Sequence, residues 1–247
     1  MSRLLLGPNA VAAALDSRSR LPQAIFVAEG DERSHGAILK RAEQARVSVD
    51  AKPRRELDAM AKGERHQGIL AVSGEYPYVE LEDVLASTPA PLLLVALDQI
   101  SDPHNLGAIV RSAVAFGADA VITLKDRAAP VTAAAVRASA GTTEHARIAR
   151  VTNLARSLEM LKEMGFRVVG LAGEGAEPLE NMSYGEAGLV VVVGSEGEGL
   201  RRLVREKCDA LLRIPMTGVA ESLNASVAAG LALYVAQGAR PPRRDAP

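Results

Sequence analysis

Gly188–Leu200 reads GLVVVVGSEGEGL: five aliphatic residues behind a glycine, then a loop with three glycines in six positions, Gly194, Gly197 and Gly199. A continuous apolar run of this kind has no solvated face, so it predicts a strand covered on both sides in a parallel sheet. The loop after it falls at the carboxyl end of a strand, where open α/β sheets bind ligands. Its glycines permit positive φ and a close approach of backbone to ligand. Gly-x-Gly-x-x-Gly fits nowhere in it, and it lacks the Gly-Lys-Ser/Thr ending of a phosphate-binding P-loop, so nucleotide motifs of both kinds are excluded. Glu196 is either a carboxylate that accepts hydrogen bonds at a site or a solvated loop acid.

Outward from this stretch the pattern repeats. LLLVAL at 92–97, AVITL at 120–124, RVVGLA at 167–172 and ALLRIPM at 210–216 predict further strands, with helical patterns near 103–117, 130–139, 153–164, 198–206 and 222–237. Strands alternating with helices give βαβ units and an α/β fold on a parallel sheet. Leu223, Val227, Leu231 and Val235 form a stripe at four-residue steps on the last helix, suited to a sheet or a partner. Upstream, a helix near 8–16, a strand near 24–28, a helix near 34–45, a strand near 47–49, a helix near 54–61 and a strand at 69–73 form a smaller α/β block. Pro77, Pro89 and Pro91, with three acids and no base between Tyr76 and Ala90, read as a linker. The expected division is a small domain over 1–75, a linker over 76–91, a large domain over 92–240 and a flexible tail over 241–247.

Composition narrows the partners. The 247 residues carry a formal charge of −1 and are 48% hydrophobic and 24% charged, an ordinary globular balance. Aromatics are 3% with no Trp, which argues against broad stacking platforms for single-stranded nucleic acid. The charge is unevenly spread: residues 1–75 are net +2, residues 76–90 net −3 and the remainder neutral. Arg54 and Arg55 make a local basic pair, either solvated or aimed at an anionic partner. A lone Cys208 forms no internal disulfide, and His35, His66, His104 and His145 lack ligand spacing, so no metal site is expected. The N-terminus reads as a capped helix rather than a signal peptide, and no run of about 18 apolar residues occurs. A cytoplasmic protein without a membrane span is expected.

Two more strand-to-helix loops stand out. In LDQISDPHNLGAIVRSA, Leu97–Ala113, Pro103 suits a first helical turn and Arg111 lies one turn after Gly107. Read blandly, Asp102 is an N-cap, Asn105 a first-turn residue and Arg111 a surface charge. In IPMTGVAESLNASVAAG, Ile214–Gly230, Ser222 and Asn224 open the last helix, as caps or as groups at the mouth of a ligand site.

Taken together and in this order, the three segments resemble the SpoU family of RNA ribose 2′-O-methyltransferases in the SPOUT superfamily. Asn-x-Gly-x-x-x-Arg is present as Asn105, Gly107 and Arg111, LVVVVGSEGEGL matches the second motif, and IPM followed by SLNASVAAG the third. GPNAV near the start, RHQGILA at 65–71, DPHNLGAIVRSA and CDALLRIPM are most similar to the bacterial 23S rRNA guanosine 2′-O-methyltransferase branch, so the likeness spans nearly the whole chain. Glu221 and Ala225 depart from the pattern, standing where Ser and Val are more usual.

The resemblance implies a C-terminal SPOUT domain with a deep trefoil knot on a parallel sheet, a small N-terminal RNA-binding domain of the ribosomal-protein type, and a homodimer. It implies S-adenosylmethionine as cofactor, held by Ala172, Gly173, Gly194, Ile214, Met216 and Leu223. It implies 23S rRNA as substrate and Arg111, Asn105, Glu196, Ser222 and Asn224 as catalytic residues, with Glu196 orienting Arg111. Arg54, Arg55, His66 and Gln67 are the implied RNA contacts. Arg111 is sometimes cast as a general base, which its pKa above about 12 opposes. The same reaction on tRNA, and an RNA-binding protein without catalysis, are the alternatives; a nicotinamide oxidoreductase fails on the missing fingerprint.

Overall fold

The computed structural model describes residues 2–17, 21–218 and 222–243. In chain order its elements are β1 (Arg3–Leu6), α1 (Pro8–Asp16), β2 (Ala24–Ala28), α2 (Gly36–Gln44), β3 (Ser48–Lys52), α3 (Arg54–Met60) and β4 (Ile69–Ser73), then α4 (Leu81–Ser87), β5 (Leu92–Asp98), α5 (Pro103–Ala115), β6 (Ala120–Leu124) and α6 (Ala133–Ala138). There follow β7 (Ile148–Val151), α7 (Leu154–Glu163), β8 (Phe166–Leu171), β9 (Glu177–Pro178), β10 (Gly188–Gly194), α8 (Arg202–Lys207), β11 (Ala210–Arg213) and α9 (Ala225–Gly238). They form two compact units: Met1–Pro77 with Pro130–His145, and Tyr78–Ala129 with Ala146–Pro247.

The first unit is built on a four-stranded sheet in the order β1-β4-β2-β3, parallel only between β2 and β3. Leu5, Ile25, Leu57, Ile69 and Leu70 are fully buried and make its core. β1 was not expected: four residues are too few to display a period of two, yet Leu5 and Leu6 are buried in register with Ala71 and Leu70.

Pro130–His145 departs from the linear division, which put it in the domain over 92–240. Ala133 of α6 packs against the cluster of Leu6, Ala28, Leu57, Ala61 and Leu70. Gly141 has φ +88°, and a Cβ there would lie 2.8 Å from the Asn9 carbonyl oxygen and 2.9 Å from Ala13 Cβ, so only glycine fits against α1. Arg3 donates to both carboxylate oxygens of the fully buried Glu144, at 2.7 and 2.8 Å. The stretch expected as a linker also carries structure, because its prolines flank α4 rather than interrupt it; Leu81 and Val84 are buried in the second unit.

The second unit holds a seven-stranded sheet, β7-β6-β5-β10-β8-β11-β9, parallel at every pairing. All of β5 is buried, as is β10 up to Val193, in keeping with strands covered on both faces. The chain runs outward through β5, β6 and β7, then returns to β8 and leaves a gap that β10 fills. Strand order reverses there, so the loops leaving β8, β10 and β11 converge at one end of the sheet. α9 packs on α5, and its C-terminal end is tied down by Arg240, which donates to Asp119, to Pro91 O at 2.8 Å and to Gly117 O at 2.8 Å. Among the described residues no helix is long and apolar enough to cross a membrane.

Candidate active site

The converging loops enclose a cavity of about 660 Å³, within the range of small-molecule sites. Its first wall is Leu171, Ala172 and Gly173, at and beyond the end of β8. Its second is Val193 through Leu200, and its third is Ile214, Met216, Ser222, Leu223 and Asn224, ahead of α9. All six residues expected at the cofactor line this cavity, as do Glu196, Ser222 and Asn224. The strand expected at 210–216 ends at Arg213, which leaves Ile214 and Met216 free to form the wall.

The glycine-rich segment is a small hairpin. Ser195 and Gly199 exchange backbone hydrogen bonds at 3.1 and 3.0 Å, and Gly197 and Gly199 take positive φ of 85° and 66°. Gly194 has a different reason to be glycine: a Cβ there would lie 2.3 Å from the backbone carbon of Gly199, so it permits the hairpin to close. The expected helix at 198–206 begins only at Arg202.

Asn224 is the hub of the polar groups. As N-cap of α9 its Oδ1 accepts from the Ser226 N–H at 2.9 Å and hydroxyl at 2.5 Å. Its Nδ2 donates to Asn105 Oδ1 at 3.0 Å and to a carboxylate oxygen of Glu196. Asn105 does lie in the first turn of α5, as the bland reading has it, but it is buried and bonded to Asn224 as well; Asp102 is the expected N-cap and accepts from the His104 N–H at 2.9 Å. Arg111, two turns along α5, is exposed and does not line the cavity, and its side chain makes no hydrogen bond or ion pair among the described residues. Glu196 is therefore joined to Asn224, not to Arg111 as expected. Glu221 lies outside the described residues, and Ala225 is buried in the first turn of α9.

Sequence reasoning missed Glu174 and Arg205, which also line the cavity and pair with each other. Its own backbone N–H and then the Arg205 guanidinium hold the Glu174 carboxyl below its ordinary value. The only available signal was its place directly after Gly173.

In the first unit the four expected contact residues behave differently from one another. His66 is 3% exposed, and both ring nitrogens are engaged: Nδ1 accepts from the Gly68 N–H at 3.3 Å and Nε2 lies 2.9 Å from Asp58 Oδ1. It braces the loop from inside. The Gly68 N–H fixes Nδ1 as the acceptor, so Nε2 carries the proton and donates to Asp58. Gln67 is exposed with φ +52°, and its carbonyl accepts from His35 Nε2 at 3.1 Å. Arg54 is paired with Asp31 at 2.6 Å and Arg55 is exposed. The close approach expected of Gly68 is to a carboxylate of this chain: a Cβ there would meet Asp31 Oδ2 at 2.1 Å.

The fold is that of RNA methyltransferases. The structure of an AdoMet-bound rRNA methyltransferase from Sinorhizobium meliloti superposes with a TM-score of 0.79 at 25% identity, covering 96% of this chain and 87% of that one. An uncharacterized tRNA/rRNA methyltransferase of Mycobacterium sp. (strain KMS) is 47% identical over 239 residues, 94% of this chain and 75% of the relative. A putative TrmH family tRNA/rRNA methyltransferase of Bacillus subtilis (strain 168), YacO, is 42% identical over 235 residues, 93% of each. Residues 4–79 match the RNA 2′-O ribose methyltransferase substrate-binding family. Residues 92–234 match the SpoU rRNA methylase family, and the chain belongs to it.

Proposed function

We propose that the protein transfers a methyl group from S-adenosylmethionine to the ribose 2′-hydroxyl of a guanosine in 23S rRNA. The observation that carries this reading is the joining of Asn105, Glu196 and Asn224 at the rim of a cavity lined by Ala172, Gly173, Gly194, Ile214, Met216 and Leu223. Apolar side chains from Leu171, Val193, Leu212 and Ile214 beside the open backbone of Gly173 and Gly197 suit a ligand with an adenine ring and a methionine chain. When bound, S-adenosylmethionine supplies a methyl group made electrophilic by a sulfonium.

The protein's task is then to position the hydroxyl and help it lose its proton. Asn224, held by its cap bonds, keeps Asn105 and Glu196 in fixed relation at the rim. Arg111, exposed on the same helix as Asn105, has its fork of donors free for a phosphate and for the alkoxide charge that develops on the 2′-oxygen. A guanidinium resists deprotonation, so the proton leaves through water. A pH–rate series on Arg111→Lys separates the two roles: a base would be rescued with a shifted optimum, whereas a positioned fork predicts a loss of about 100-fold without a shift.

The exposed stripe of α9 supports a homodimer. Val227, Leu231 and Tyr234 are 49%, 43% and 65% exposed at helical spacing, a patch that a second copy would cover. In this reading the first unit is the RNA-binding module and the chain of the second is threaded as a trefoil knot. With a net charge of −1, RNA contact rests on a few placed cations such as Arg55, and the salt slope of binding corresponds to few phosphates. The deciding experiment incubates the protein and S-adenosylmethionine with unmodified transcripts of 23S rRNA and of tRNA, and maps 2′-O-methyl groups by mass spectrometry. Methylation confined to a tRNA overturns the rRNA assignment, and methylation of neither transcript overturns the reading.

A further inference from the structure

Asp98 ends β5 with its side chain wholly buried, and no step above uses it. It stands in register with Gly194 of β10, the residue from which the 195–200 hairpin leaves the sheet. Its carboxylate grips the residue at which the hairpin returns. Oδ2 accepts the Arg201 backbone N–H at 2.8 Å, while Oδ1 accepts Arg201 Nε at 2.7 Å and Nη2 at 2.6 Å. One buried acid thus closes the neck of the loop, with its backbone beside the departing leg and its side chain on the returning one.

The loop has little else to fix it. Glu196, Gly197 and Glu198 are exposed, and a Cβ at Gly197 or Gly199 would touch nothing. Besides its internal Ser195–Gly199 bonds and buried Leu200, the described residues tie it to the rest of the unit at the tip, where Glu196 meets Asn224, and at the neck at Asp98. Charge-assisted bonds to a desolvated carboxylate are strong and directional, and an arginine fork makes them geometrically specific. The expected salt slope and cofactor site do not call for this pair, and it lies outside the cavity lining.

We propose that Asp98 and Arg201 are positioning residues for methyl transfer: by closing the hairpin's neck they hold one wall of the cofactor cavity and keep Glu196 within reach of Asn224. The proposal rests on reading the cavity as the S-adenosylmethionine site. Arg201→Gln keeps the backbone bond to Asp98 and changes a side chain that is 40% exposed, so the test is built on it. In the protein without ligand, hydrogen exchange at the Ser195 and Gly199 amides rises roughly tenfold, while the amides of β6 do not change. Calorimetry with S-adenosylmethionine gives a Kd raised roughly tenfold. Arg201→Lys recovers part of both effects, and Asp98→Asn combined with Arg201→Gln is no worse than the more severe single change, because the two residues form one clamp. A lowered Tm with unchanged exchange at Ser195 and Gly199 and unchanged Kd, measured well below the melting range, overturns the proposal. If the unaltered protein binds no S-adenosylmethionine, the functional reading falls, and the exchange result still decides whether the clamp holds the hairpin.

Discussion

In the first unit Glu144 takes a two-pronged grip from Arg3, 141 positions away in the chain; in the second, Asp98 takes one from Arg201, while Asp119 takes one bond from Arg240 and one from Arg243. All three acids are buried, and the arginines that hold them come from far along the sequence. They differ in what they fasten and how dry they are. Arg3 is 9% exposed and holds the Pro130–His145 excursion to β1, a matter of assembling a core. Arg201 is 40% exposed and holds a hairpin with almost no core of its own. A carboxylate–arginine pair sunk in a core is a folding element, and the same pair at the edge of a cavity sets the shape of a loop.

The largest effect should come from the driest pair. Arg3→Ala leaves Glu144 buried opposite an apolar methyl and lowers stability by about 3–5 kcal/mol, read by chemical denaturation and by hydrogen exchange in β1. The paired change Arg3→Met with Glu144→Leu regains most of that loss, since two apolar side chains leave no charge to desolvate. A cost for Arg3→Ala no greater than that of Arg201→Ala would end the distinction between the pairs.

Two glycines with similar φ sharpen the contrast on a smaller scale. Gly141 (φ +88°) is jammed against Asn9 and Ala13, while Gly197 (φ +85°) faces open space. Gly141→Ala adds a clash to the backbone strain and costs about 3 kcal/mol. Gly197→Ala carries the strain alone, about 1 kcal/mol, and should alter S-adenosylmethionine binding more than Tm. Paired thermal melts and calorimetry check both variants.

The same contrast explains what was legible in the sequence. The strands of the second unit announce themselves because burial on both faces demands unbroken aliphatic runs, as in Leu92–Leu97 and Gly188–Gly194. The candidate site was legible for a different reason: Asn105, Glu196, Ser222 and Asn224 lie in segments of a recognisable family pattern. Neither signal reaches a contact whose partners lack a pattern. Residues near 130–139 read as a helix, but it takes Ala133 against the Leu6 cluster, Gly141 against α1 and Glu144 against Arg3 to reveal which unit it completes. Asp98 reads as the end of a strand, and His66 as an implied RNA contact, until the depth of each is known. β1, at four residues, and β9, at two, are too short for any period to show.

The smallest effect concerns titration, and it belongs to the second unit. Burial first, and the neighbouring Asp209 next, push the Cys208 thiol up to about 12; burial pushes the Tyr184 hydroxyl up to about 12 as well. Both groups keep their protons in the folded chain, the thiol lying 3.3 Å from Val204 O and the hydroxyl donating to Ala236 O at 3.0 Å. The unfolded chain gives up the same protons near the ordinary values of 9.0 and 10.0. Each contribution to stability is therefore fully present below those values and is lost as pH rises from about 9 towards 12. Denaturation midpoints for the second unit should fall over that interval, and Cys208→Ser should flatten the lower part of the decline. The thiolate is the reactive form, so alkylation of the native protein by iodoacetamide near pH 8 should be slow and should accelerate on unfolding, as read by mass spectrometry. Fast alkylation of the folded chain would mean that the wall of α8 beneath the hairpin opens readily, and that the Asp98–Arg201 clamp is working on a mobile base.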